Sequence, residues 1–117
     1  MNNYSKIEDL LNKILTELSD LKALDVVVIN IRNRSALADY IIVASGTSSR
    51  HINSIASKIV KSNKKKIIST EGLNSSGWLI VDFGDIILNI FKPETRKHYS
   101  LERIWQGGPQ DDELGFG

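Results

Sequence analysis

The stretch WLIVDFGDIILNIF, Trp78–Phe91, decides the fold of this chain. Two apolar runs, Trp78–Asp82 and Ile86–Phe91, flank D-F-G-D. Gly tolerates positive φ and Asp bonds nearby backbone amides, so the segment reads as a β-hairpin with an acidic turn. The competing reading has Asp82 and Asp85 hold a metal over a phosphate. Turn chemistry alone accounts for both acids, and the hairpin is preferred. Along its first strand Trp78, Ile80 and Asp82 alternate with Leu79, Val81 and Phe83, and both sets are largely apolar. Either the sheet is covered on both sides, or its second face exposes a tryptophan-bearing strip of the kind a partner protein binds.

Upstream of the hairpin, Gly72–Gly77 (GLNSSG) reads as a flexible loop and Lys66–Thr70 (KIIST) as a short strand. Ile52, Ile55, Ala56, Ile59 and Val60 mark one stripe of a helix that opens at SGTSSRH, Ser45–His51, with Thr47 or Ser48 as its cap. Before it lie two runs without Pro or Gly, Val26–Ile31 (VVVINI) and Asp39–Ala44 (DYIIVA), joined by a polar connection. The continuous β-branched character of Val26–Ile31 predicts a strand buried on both faces. Ile7, Leu10, Leu11, Ile14, Leu18 and Leu21 predict a first helix with Ser5 and Glu8 as a capping box, ending near Ala23. Downstream, Pro93 ends the last strand, and a final helix is expected within Glu94–Trp105 with Leu101, Ile104 and Trp105 as its apolar contacts.

The order helix, strand, strand, helix, strand, strand, strand, helix defines an α/β class domain, a mixed sheet of about five strands flanked by helices. A single domain fits 117 residues, 41% of them hydrophobic and 25% charged. It is placed at residues 1–106, and the tail 107–117, rich in glycines and acids, is expected to be disordered. The sequence holds no cysteine, which excludes disulfides and thiolate metal sites. No signal-peptide pattern and no run approaching the ~20 apolar residues of a membrane helix is visible. The chain is therefore expected to be cytoplasmic, without a membrane contact, and the lack of an arginine-rich leader favours a bacterial over an organellar setting.

The formal net charge of +1 gives no global footprint for nucleic acid. The local run Lys61, Lys64, Lys65 and Lys66 reads first as a solvated helix end, favourable to the helix dipole, and second as a phosphate-backbone contact. Catalytic readings find little support. SGTSS after a strand resembles the opening element of a nucleotidyltransferase, but RHINSIASKIVKSN behind it contains no Asp or Glu to hold paired magnesium ions. Neither His51 nor His98 sits in a nucleophile motif, and Gly72–Gly77 lacks the lysine of a Walker-type loop. No catalytic residue, metal ligand or cofactor is assigned.

ADYIIVASGTSSRH, TEG, GWLIVDFGDIILNIF and ETRKHYSLERIW, in that order, resemble the ribosomal silencing factor (Iojap-like) family. The resemblance runs from about Asp25 to Trp105, and D-F-G-D followed by R-x-x-Y-x-L-E-x-x-W is its most specific part. It implies a nucleotidyltransferase-like fold without the catalytic acids, and a protein that is no enzyme. It implies a translation repressor that binds the large ribosomal subunit through ribosomal protein L-fourteen and sterically blocks the small subunit. A minor contact with ribosomal RNA and a homodimer of the free protein remain open, and a nucleotidyltransferase-like nucleotide-binding enzyme is the alternative. Trp78 and Ile80 are the expected apolar contacts, Asp82 and Asp85 the expected partners of basic groups. Lys92, Arg96 and Tyr99 are candidates at the border. Trp78 and Tyr99 could equally be core residues, and Trp105 is assigned to packing. Family members often carry His where this chain has Asn89, which hydrogen-bonds but cannot charge near neutral pH.

Overall fold

The computed structural model describes residues 3–73 and 77–99. Its elements are α1 (Asn3–Asp20), β1 (Leu24–Asn30), β2 (Tyr40–Ser45), α2 (Ser49–Ser62), a single 3-10 turn at Lys64–Lys66, β3 (Ser69–Leu73), β4 (Trp78–Asp82), β5 (Ile86–Phe91) and α3 (Pro93–Tyr99). The strands form one mixed sheet in the order β1-β2-β5-β4-β3. The β2–β5 pair at its centre is parallel and the other three pairs are antiparallel. A parallel pair requires a crossover, and α2 with β3 and β4 supplies it.

Alternation along the strands sorts side chains onto two unequal faces. One face gathers Tyr40, Ile42, Ala44, Val81, Phe83, Ile86, Leu88 and Ile90 against Ile7–Leu18 of α1 and Ile52–Ile59 of α2. Ile14, Leu18, Ile55, Ile59, Leu88 and Ile90 are fully buried there. The other face carries a smaller cluster of Ile29, Ile31, Ala38, Ile41, Val43 and Phe91, to which α1 and α2 contribute nothing. The helices are tied to each other at both ends. Lys13 Nζ donates to Asn63 Oδ1 and Asn63 Nδ2 to Glu17 Oε1, while His51 Nε2 lies 2.9 Å from the Leu21 carbonyl. The Thr47 amide donates to His51 Nδ1, so the ring's proton resides on Nε2 and is given to Leu21.

Several expectations need correction. Val26–Ile31 does not form a doubly buried strand: β1 is the sheet edge, and Leu24, Val26 and Val28 are exposed. β-branched composition encodes extended backbone but not position in the sheet, and the register slips between Leu24 and Val27 where Asp25 takes φ +49°. Ser5 lies inside α1, not at its cap, because the helix already runs from Asn3. α1 stops at Asp20, short of Ala23. Lys22 adopts φ +67°, its amide donates to Ser19 O and the Ala23 amide to Leu18 O, the Schellman arrangement that ends helices, here without the usual glycine. β3 starts at Ser69, not Lys66, and runs through Gly72, which pairs with Leu79 and so belongs to the strand, not to a loop. Pro93 both follows β5 and opens α3, where its missing amide is no loss. Leu101, Ile104, Trp105 and the tail 107–117 lie outside the described residues.

Candidate functional site

The hairpin expected from Trp78–Phe91 is present with β4 and β5 bounded as the sequence implies. Its turn explains one acid locally: Asp82 Oδ1 accepts the Gly84 amide at 2.7 Å, and the Phe83 amide donates to Ile86 O. Gly84 sits at φ +90°, where an L side chain is strained. Asp85 acts through its backbone, its carbonyl receiving the amides of Asp39 and Tyr40, and its side chain is exposed. The two ion pairs among the described residues, Lys13–Glu17 and Arg32–Asp39, use neither hairpin acid. Among the described residues no group of three or more His, Cys, Asp or Glu is gathered to hold a metal ion.

Trp78, Ile80 and Asp82 fall on the face that α1 and α2 leave free, beside Ile87, and all four are half-buried. Trp78 stacks against Phe91 with ring centroids 5.0 Å apart, tilted by 39°. Asn89 is buried at 7% exposure beneath it: its Oδ1 accepts the Trp78 indole N–H at 3.1 Å, and its Nδ2 points to the Ile42 carbonyl. It therefore acts on the surface by orienting the indole. Arg96 is likewise buried and donates to Ser45 Oγ at 2.9 Å, fastening α3 to the end of β2, while Lys92 is half-buried before Pro93. Tyr99 is the last described residue of α3, and its side chain is outside the description. The geometry thus brings Trp78, Ile80, Asp82 and Asn89 together, sets Asp85 at the turn, and puts Lys92 and Arg96 at the opposite end of β5.

One acid escaped the sequence reading. Glu71 pairs with Ile80 across β3–β4 and is exposed, so it shares the open face with Asp82. A loop at Gly72 hides the role of T-E-G; the strand running through Leu73 sets the alternation that places Glu71 there.

The SGTSS segment turns out to be a capped helix start. Ser48 is the N-cap of α2 and accepts the His51 amide at 3.1 Å. A Cβ at Gly46 would lie 2.6 Å from Ile52 Cγ1, so close packing of strand on helix accounts for that glycine. A shallow cleft beside it is lined by Ser49, Ile52, Asn53, Gly72, Gly77, Trp78 and Leu79, and this lining carries no cation to meet a phosphate.

The domain is of the α/β class, a five-stranded mixed sheet with α1 and α2 packed on one face and Trp78 on the other. The family model described as "Ribosomal silencing factor during starvation" matches residues 4–115, and the chain belongs to that family. It is 37% identical over 116 residues to "Ribosomal silencing factor RsfS" of Zymomonas mobilis, spanning 96% of this chain and 87% of the relative. It is also 32% identical to mouse "Mitochondrial assembly of ribosomal large subunit protein 1" over 89% of this chain, but spans only 48% of that longer protein. A crystal structure of a Chromobacterium violaceum protein superposes with a TM-score of 0.78 at 27% identity, covering 87% of this chain and 88% of its own.

Proposed function

We propose that this chain represses translation by binding the large ribosomal subunit through ribosomal protein L-fourteen and physically excluding the small subunit. The observation that carries the reading is the strip Trp78–Ile80–Ile87, on the sheet face free of α1 and α2, bordered by Asp82, Asp85 and Glu71. An apolar centre with an acidic border suits a basic ribosomal protein. The indole, held by Asn89 and Phe91, is an anchor already oriented before contact. Exclusion requires no chemistry, only a patch of about 800 Å² per partner. The mechanism is occupancy, and it operates in the cytoplasm where subunits join.

The relatives' names support a ribosomal partner, and the mouse relative's name specifies the large subunit. The nucleotide-using alternative has less support, since the described lining of the cleft next to SGTSS holds no cation and the helix start is capped by Ser48. Co-sedimentation with purified subunits tests the proposal. Wild type is expected with the large subunit alone, and joining is expected to fail in its presence. Saturable, magnesium-dependent nucleotide binding near Ser45–Ser49 without subunit binding would replace it with the enzyme reading.

A further inference from the structure

From the lysines at the end of α2 we infer that the chain has a second contact surface, one that grips RNA phosphates beside the hairpin. The inference rests on the ribosome-binding reading and adds a partner chemistry to it. α2 buries Ile52, Ile55, Ala56 and Ile59, which leaves Lys58 and Lys61, one helical turn apart, on its exposed flank. Beyond the helix the 3-10 turn Lys64–Lys66 presents three consecutive exposed lysines. This turn has a firm base. Asn63 is buried, its Nδ2 donates to Ile59 O and Glu17 Oε1, and its Oδ1 accepts from Lys13.

Among the described residues no ion pair neutralises the lysines. No Asp or Glu stands between Tyr40 and Thr70. Glu17, the carboxylate packed at the base of this turn, is engaged by Lys13, Ser62 and Asn63. Five of the chain's 15 lysines and arginines, Lys58, Lys61 and Lys64–Lys66, fall within nine residues that hold no acid, so positive charge is concentrated here.

Position then selects the partner. The Ile68 amide donates to Asp82 O, and the Ile68 side chain lies against Gly84, so the lysine turn adjoins the acidic hairpin turn. A basic protein alone would attract Asp82 and Asp85 but repel the lysines. RNA alone would do the reverse. Adjacent patches of opposite sign match a surface in which a basic protein is embedded in RNA, the acids meeting the protein and the lysines the phosphates.

The test compares wild type with the triple variant Lys64→Gln, Lys65→Gln, Lys66→Gln, which keeps side-chain length and removes charge. Each is titrated against large subunits, against protein-free large-subunit RNA, and against vesicles of phosphatidylglycerol in phosphatidylcholine. Loss of three phosphate contacts should lower the magnitude of the log affinity–log salt slope by about 2–3, so wild type loses about 16–64-fold more RNA affinity than the variant between about 50 and 200 mM salt. Identical slopes on RNA would overturn the inference, as would lysine-dependent binding to vesicles but not RNA. Subunit binding that is unchanged in the variant would leave the repressor reading standing and the lysine surface refuted. Wild type that ignores subunits would refute the repressor reading, while the protein-free RNA titration still decides for or against the lysines.

Discussion

The sheet's two faces are made of similar residues put to different uses. On the helical face Leu88, Ile90 and Val81 are fully buried beneath α1 and α2. On the opposite face, one residue along the same strands, Ile80 and Ile87 remain half-buried and Trp78 is steadied by Asn89 and Phe91. The first face spends its apolar surface on folding. Under the proposed function the second keeps part of it, arranged and bordered by acids, for a partner. A residue's contribution to stability and to binding should therefore separate by face.

The largest stability effect belongs to the helical face. Leu88→Ala should cost about 2–5 kcal/mol, the usual cost of a buried leucine cavity, read as a shift of the denaturant midpoint. Asn89→Ala strips the indole and the Ile42 carbonyl of a partner and should cost about 1–3 kcal/mol. Because the indole also loses its orientation, this variant should weaken subunit binding beyond its effect on folding, whereas Leu88→Ala, measured where it is folded, should not. Equal losses of binding in both would erase the distinction between the faces.

Smaller effects test the ties between α1 and its surroundings. Lys22→Gly relieves the left-handed backbone at the α1 terminus and should stabilise by about 0.5–1 kcal/mol, net of the extra freedom of glycine in the unfolded chain. Glu17 is smaller still and depends on pH. Partial burial acts to raise its pKa, but hydrogen bonds from Ser62, Asn63 and Lys13, with the Lys13 charge, outweigh it and hold the carboxyl below its ordinary 4.5. A depressed carboxyl stabilises the fold above 4.5, and that contribution is lost as pH falls through 4.5 toward the folded value. Glu17→Gln should flatten that part of the stability–pH curve and leave ribosome binding alone; a curve as steep as wild type would show the α1–α2 tie to be electrostatically idle.

The hairpin was legible in the sequence because all its signals are local. Alternation sets β4 and β5, and Asp82 with Gly84 sets the turn between them. What failed depended on partners distant in the chain. Val26–Ile31 advertises a strand but not that β2 alone would flank it. Glu71 acquires its place only when β3 pairs with β4, and Asn89 discloses its role only once Trp78 is above it. The C-terminus of α1 was obscured because Lys22 fills a position that glycine usually marks.

The central claim is that the open face, not the helical one, meets the ribosomal protein of the large subunit. The most direct test measures large-subunit affinity for Ile80→Arg beside Thr16→Arg, the latter an exposed position on α1, with melting curves to confirm that both fold. The account predicts that Ile80→Arg lowers affinity by about 30-fold or more, as for an interface hot spot, while Thr16→Arg binds as wild type. Undiminished binding by Ile80→Arg, with loss in Thr16→Arg, would contradict it.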